Sequence, residues 1–338
     1  MASASKGISF VTYNGSPTRR IIKVNTQRDG LREGEVLIRI THSSLCGTDE
    51  HYLGKDMCLG HEGAGVIVEL GPGIQHLKVD DNVAFGYQRS CCGTCSHCLQ
   101  SLEIFCPSRR FYGFSEPDIG SMASHIPFQE SFTYKIPPGI SNGEASALMC
   151  GGATVFNVLD MFSVKPTDRV GVVGIGGLGH LAILFASKWG CEVVVFSSSE
   201  EKREDAMRFG ATEFHVTKGV GEFKNIDPID HLLVTTSQQI PWGLYLPIMA
   251  SPGTIYPLTL SEQDLQIPYQ AFLFNGIRIQ ASIVAPRVIY KRMLKFAAFH
   301  NIAPILQFYP LDEAGIEEAM ADLRLGKTRY RGVLCAKH

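Results

Sequence analysis

Over the first 145 or so residues, short apolar runs such as EVLIRITHSS (35–44), GAGVIVELG (63–71) and DNVAFGY (81–87) alternate with Gly, Pro and Asp. Helical periodicity is scarce there, so this part reads as a mostly β domain. From about residue 150 the rhythm changes. Strand RVGVVG (169–174) is followed by helix LGHLAILFASKWG (178–190), strand CEVVVFSS (191–198) and helix EEKREDAMRFG (200–210). Further strands follow in EFHVT (213–217), HLLVTT (231–236), GTIYPLT (253–259) and RIQASIV (278–284). Strands alternating with helices predict βαβ units and a parallel, doubly wound sheet. From about Ala285 the pattern turns helical in RVIYKRMLKFAAFH (287–300) and DEAGIEEAMADLRLGK (312–327), then ends on β-like YRGVLCA (330–336).

One run imitates a membrane helix, because Val170–Ser187 carries no charge over eighteen positions. It also holds five glycines and one histidine, which a strand, a glycine turn and a helix start explain better. A chain of 338 residues has room for two domains, and no low-complexity linker separates them, so a junction that forms the active cleft is expected. The net charge of -2 shows no basic excess of the kind that neutralises phosphates, which argues against nucleic acid and anionic membranes as partners. The opening MASASKGISF lacks both a secretory core and transit-peptide character, so a cytoplasmic location with reduced thiols is expected.

That expectation bears on CCGTCSHCLQSLEIFC (91–106), which holds five of the ten cysteines. Cys92, Cys95, Cys98 and Cys106 have the short spacing that aims four thiolates at one cation and closes a structural zinc site with no open position. A disulfide framework or an iron–sulfur cluster are the alternatives. Cys91 makes the register ambiguous; Cys92 is preferred because it leaves equal gaps before Cys95 and Cys98.

Gly174, Gly176 and Gly179 form Gly-x-Gly-x-x-Gly between an apolar strand and an apolar helix, with Gly177 and Leu178 inside the motif. Gly174 allows the turn, Gly176 lets a pyrophosphate approach the backbone, and Gly179 lets helix and strand pack closely. NAD-binding chains carry an acidic residue about 20 residues on. Here Ser197, Ser198 and Ser199 stand there, with Lys202 and Arg203 beyond, a set that accepts a 2′-phosphate an Asp would repel. NADP(H) is therefore favoured over NAD(H), although Ser199 would also serve as a helix cap.

Cys46 in LCGTDEH, His61 with Glu62 in LGHEGAG, and Cys150 in LMCGGATVF make a Cys2His set with a carboxylate beside it. Three such ligands leave one position open, as a catalytic zinc requires, and Glu62 would fill it when substrate is absent. Each residue taken singly would pass as core; their weight comes from occurring together.

With these motifs in this order, and with the closing GKTRYRGVL, the chain resembles the zinc-dependent medium-chain alcohol dehydrogenases, most closely the NADPH-dependent cinnamyl-alcohol-dehydrogenase and aldehyde-reductase branch. The resemblance covers nearly the whole chain. It implies an α/β fold with a GroES-like, mostly β catalytic domain over 1–147, completed by 285–338, and a Rossmann doubly wound cofactor domain over 148–284. It also implies two zinc ions per chain, Asp49 as the carboxylate that orients His61, Thr48 and His51 as a proton relay acting with the cofactor ribose, Thr154 near the nicotinamide, and a homodimer. Two departures stand out. Only fourteen residues separate Cys46 from His61, so a loop is trimmed, and GSMASH (120–125) stands where members often read Gly-Gly-Phe-Ala-Glu-Tyr.

The expected reaction is reversible hydride transfer between NADPH and an aldehyde, giving a primary alcohol. Reduction of an activated C=C bond or an iminium on the same scaffold is the first alternative, and a non-catalytic zinc and nucleotide binding protein the second. The Thr48 and His51 relay speaks against the first, since neither needs alkoxide protonation. Tyr87, Gln88 and Trp242 are candidates for the pocket wall or for the core.

Overall fold

The computed structural model describes residues 7–261 and 263–337, so the first six residues of the N-terminal segment lie outside it. The chain divides into two compact units, Met1–Cys150 with Pro286–His338, and Gly151–Ala285. The first division falls after Cys150 rather than after residue 147, which leaves Cys150 with the first unit.

The first unit is built on a seven-stranded sheet. Its centre is Glu35–Ser44, whose Val36, Ile38 and Ile40 are at most 1% exposed. Burial of such side chains contributes about 1.5–3 kcal/mol each. Glu62–Leu70 pairs antiparallel with Glu35–Ser44, setting Ser44 opposite Glu62. On the other side the late strand Arg331–Cys335 pairs antiparallel with Glu35–Ser44, setting Val333 opposite Ser44. Two registers thus bring residue 331 to the neighbourhood of residue 62 across a long stretch of chain. The expected helices are Arg287–Phe299 and Glu313–Arg324. Between them lies Leu306–Pro310, a strand parallel to Arg331–Cys335 that the sequence pattern did not predict. It is an edge strand in which only Tyr309 is buried, so it carries little alternation to read.

The second unit is a six-stranded parallel sheet, in the order Glu213–Val216, Glu192–Ser197, Arg169–Val173, Ile229–Val234, Met249–Pro257, Arg278–Ile279. That is the doubly wound 3-2-1-4-5-6 arrangement, with its switch point between Arg169–Val173 and Ile229–Val234. The strand expected over 278–284 is much shorter, only Arg278–Ile279, and Val284 takes a left-handed φ of 41° that ends any extension. The uncharged run 170–187 resolves into strand, turn and the helix Gly177–Trp189. Among the described residues no helix is long and apolar enough to cross a membrane.

A candidate metal centre and a glycine loop

Cys46 stands at the N-terminus of the short helix Gly47–Tyr52, His61 just before strand Glu62–Leu70, and Cys150 on the π-helical turn Leu148–Gly152. One ligand atom from each of Cys46, His61, Glu62 and Cys150 lies within 4.8 Å of all the others. The buried Asp49 organises this group. One carboxylate oxygen accepts the Cys46 backbone N–H at 3.0 Å, closing the helix start, and the other meets Nδ1 of His61 at 3.0 Å. A carboxylate on Nδ1 fixes the proton there and turns the Nε2 lone pair towards the cluster.

Nε2 of His61 and Oε1 of Glu62 are both buried without a hydrogen-bond partner. Orphaned acceptors cost about 1–3 kcal/mol each unless something positive lies between them. The field favours positive charge: burial lowers the affinity of His61 for a proton, but Asp49 and Cys46 outweigh it and hold that affinity well above the usual 6.5. A hydrogen bond from Cys150 lowers the Cys46 thiol well below its ordinary value, against burial, while the same bond and burial raise Cys150. The donor set therefore fits a divalent cation with sulfur and nitrogen preference.

Aromatic rings enclose His61. Tyr87 meets it edge-on at 5.4 Å between centroids, and Tyr112 lies tilted at 5.0 Å. Of the relay candidates, Thr48 has its hydroxyl 3.6 Å from the Cys46 sulfur, and His51 is exposed in the last turn of the same helix.

The cysteine lobe forms the second cluster. The Cys92–Cys98, Cys95–Cys98 and Cys92–Cys106 sulfurs are 3.9, 3.6 and 3.5 Å apart. Four sulfurs at 2.3 Å from one zinc would stand about 3.8 Å from each other, whereas a disulfide needs about 2.05 Å. All ten cysteines are free, and Cys92, not Cys91, belongs to the cluster. Backbone N–H groups of Thr94 and Cys95 lower the Cys92 thiol to about 6.

In the second unit the glycine motif lies at the switch point. Gly174 has φ +92°, and a Cβ on Gly179 would come within 2.0 Å of the Gly174 carbonyl oxygen. Nothing lies within 4 Å of a Cβ on Gly176, so the backbone there faces open space at the start of helix Gly177–Trp189. That space is a cradle for a phosphate at a helix N-terminus. Lys202 donates to the Ile175 carbonyl at 2.9 Å, which brings an ammonium to the loop. Ser197 is buried at its strand end and Ser198 is exposed. Ser199 holds the cap position before Glu200 but its side chain caps nothing. Arg203 pairs with Glu200 and lies over the Phe214 ring at 4.6 Å. Thr154 is buried on helix Ala153–Met161.

Residues 32–138 match the family model for the alcohol dehydrogenase GroES-like domain, and residues 177–298 the model for zinc-binding dehydrogenases. An alcohol dehydrogenase of Geobacillus stearothermophilus is 32% identical over 89% of this chain and 92% of its own length. An aldehyde reductase of Synechocystis sp. is 30% identical over 90% and 92%. The chain belongs to the zinc-dependent alcohol dehydrogenase family. Among solved structures, a cinnamyl alcohol dehydrogenase from Sorghum bicolor superposes with a TM-score of 0.89 at 25% identity, covering 98% of both chains. A Helicobacter pylori cinnamyl alcohol dehydrogenase solved with NADP(H) gives 0.86 at 25%, again covering 98% of both.

In this member of the family, three side chains at the two sites went unassigned in the sequence. Arg331, buried, donates to Glu62 and, at 2.9 Å, to the Ser44 hydroxyl. Tyr112 accepts the Gly60 N–H at 2.9 Å. Thr235 donates to the carbonyls of Val173 and Gly174 and braces the glycine turn. Arg331 sits inside the quoted GKTRYRGVL, but only strand pairing brings it to Glu62. Of the pocket-wall candidates, Trp242 and Gln88 are buried instead: Trp242 joins the core with Phe196 and Tyr245, and Gln88 donates to the Ser90 and Glu103 carbonyls.

Proposed function

We propose that this alcohol dehydrogenase reduces an aldehyde to a primary alcohol with NADPH, reversibly, using one zinc held by Cys46, His61 and Cys150 and a second, structural zinc held by Cys92, Cys95, Cys98 and Cys106. The observation that carries the reading is the convergence of Cys46, His61, Glu62 and Cys150, with Asp49 bonded to the far nitrogen of His61. The bound metal would supply Lewis-acid polarisation of the carbonyl, and NADPH the hydride. Asp49 keeps Nε2 of His61 available as a ligand. Glu62, tethered by Arg331, stands beside the ligands as an alternative oxygen donor. Thr48, within reach of the Cys46 sulfur, both donates and accepts, so it can pass a proton without holding charge. His51, exposed one turn on, can exchange that proton with solvent.

The preference for NADPH rests on small hydroxyls at Ser197, Ser198 and Ser199 in place of an acidic residue, with Lys202 at the glycine loop. The neighbour solved with NADP(H) supports the same reading. A homodimer is supported by the apolar side chains Tyr269, Leu273 and Phe274, 75%, 59% and 81% exposed, next to the edge strand Arg278–Ile279. The cytoplasm is the proposed location.

A metal count on the purified chain, combined with an NADPH-coupled panel of aldehydes, enals and imines scored by product, tests the whole. Two zincs and alcohol products are expected. One zinc, or saturated aldehydes as the products from enals, would overturn it.

A further inference from the structure

We infer that helix Arg287–Phe299 is a brace through which the four-cysteine lobe holds Cys150 in place, with Tyr290 as the positioning residue; the inference rests on the proposed zinc at Cys46, His61 and Cys150. Tyr290 is 2% exposed, and its ring stacks on Tyr134 at 4.8 Å between centroids with the planes 13° apart. Its hydroxyl donates to the Met149 carbonyl at 2.9 Å. That carbonyl belongs to the planar peptide group joining Met149 to Cys150, so the bond fixes the plane from which the Cys150 side chain departs. A phenylalanine would fill the same space against Tyr134, and a buried hydroxyl without a partner would cost free energy. The hydroxyl is explained by the carbonyl it meets. Gly86 leaves room for the pair, since a Cβ there would stand 2.7 Å from the Tyr290 hydroxyl and 2.8 Å from the Met149 carbonyl oxygen.

Asp49 steadies two of the three ligands, through the Cys46 N–H and through Nδ1 of His61. Cys150 stands instead on the π-helical turn Leu148–Gly152, an irregular winding of the kind that gathers at functional sites. Tyr290 steadies that turn from outside it.

The other end of the brace is the lobe. Glu103 lies between Cys98 and Cys106, with its side chain 1% exposed. Its Oε1 accepts the backbone N–H of Arg287 at 2.6 Å and the Nε of the same residue at 2.9 Å. Pro286 has no N–H to give, so Arg287 offers the first free donor of the helix, and the carboxylate meets it at the positive end of the helix dipole. Glu103 is itself held, because its carbonyl accepts the Cys106 N–H and the Gln88 amide, each at 3.0 Å. Tyr290 follows Arg287 by three residues, about 4.5 Å along the helix axis, less than one turn. A shift of the segment between Cys98 and Cys106 therefore reaches the hydroxyl that holds Met149.

The test uses the full-length, zinc-loaded protein with Tyr290→Phe, which keeps the ring, and Glu103→Gln, which keeps the shape. Zinc transfer to a chromophoric chelator is followed from both sites. In Tyr290→Phe, release from the Cys46, His61 and Cys150 site should be about tenfold faster, with release from the four-cysteine site unchanged. Glu103→Gln should also speed release from the Cys46, His61 and Cys150 site, and in a Tyr290→Phe background it should add less than about twofold, because the route ends at the hydroxyl. Release from that site within about twofold of the unsubstituted protein in Tyr290→Phe overturns the inference. So does an equal acceleration at both sites, the mark of a general loosening, or an undiminished effect of Glu103→Gln in the Tyr290→Phe background. Should Tyr290→Phe fail to fold, Glu103→Gln decides alone, and release from the Cys46, His61 and Cys150 site within about twofold of the unsubstituted protein overturns the brace. A single zinc in the unsubstituted protein overturns the underlying reading, and that outcome is separate from unchanged release rates in a two-zinc protein.

Discussion

Arg331 donates through Nη2 to Oε2 of Glu62, and the other oxygen of that carboxylate, Oε1, lies 3.9 Å from Nε2 of His61 with no hydrogen bond of its own. Burial pushes the Glu62 carboxyl up to about 7 despite the pull of Arg331. Removing the guanidinium leaves a buried carboxylate unpaired, which costs about 3–5 kcal/mol. Arg331→Met should therefore lower denaturant stability by that order, and Arg331→Met with Glu62→Gln should recover much of it. Equal losses in the single and double variants would show that the pair is not what holds residue 331.

Cys46→Ser should abolish turnover and reduce the metal count from two to one, since a hydroxyl is a poor replacement for a thiolate on zinc. His51→Gln should slow turnover and leave both metals bound, because His51 is exposed on its helix and stands outside the ligand cluster. Metal analysis beside steady-state rates separates the two outcomes.

The glycine loop offers a paired test. Gly179→Ala drives a Cβ to within 2.0 Å of the Gly174 carbonyl oxygen and should cost about 1–3 kcal/mol of stability, seen as a lower Tm. Gly176→Ala meets nothing within 4 Å, so its Tm should barely move while NADPH affinity falls. Fluorescence titration of NADPH against both variants would show whether that open space is where the phosphates lie.

Ser197→Asp places a carboxylate at the buried end of strand Glu192–Ser197. Juxtaposed like charges cost several kcal/mol, so kcat/KM for NADPH should fall by about tenfold or more, with NADH affected far less. An unchanged ratio of the two cofactors would place the 2′-phosphate elsewhere.

Cys58 belongs to neither ligand cluster and gives a pH signature of its own. Burial pushes its thiol up to about 12 from an ordinary 9.0. The folded value is raised, so its contribution to stability is complete below pH 9 and is lost as pH rises towards 12. Within that window the unfolded chain ionises and the folded one does not, at about 1.4 kcal/mol per pH unit. The alkaline decline of Tm should be shallower in Cys58→Ala than in the unsubstituted protein, although Cys58→Ala starts from a lower stability at neutral pH.

What could be read from the sequence follows how local each feature is. The four-cysteine lobe and the glycine loop are contiguous, and the chemistry of each is written within sixteen residues or fewer. Cys46, His61 and Cys150 lie far apart, yet each sits in a distinctive run, so their order revealed them. Arg331 and Tyr112 had no such run. Arg331 reaches Glu62 only through two strand registers, with Val333 opposite Ser44 and Ser44 opposite Glu62. Tyr112 reaches Gly60 and the His61 ring only because a loop tied by Arg89 folds back on them. Neither register nor loop closure leaves a periodic signal, and the edge strand Leu306–Pro310 escaped for the same reason.

The register that carries Arg331 to Glu62 also sets an order of assembly. During synthesis the residues of the cysteine lobe are all available once Cys106 has emerged, and a short loop closes quickly. The cluster of Cys46, His61, Glu62 and Cys150 gains its last member at Cys150, but its buried carboxylate stays without its counter-charge until residue 331 has been made and its strand has paired. Until then the growing chain can complete its four-cysteine cluster while Glu62 still lacks its partner, so the two ligand sets mature at different stages of synthesis.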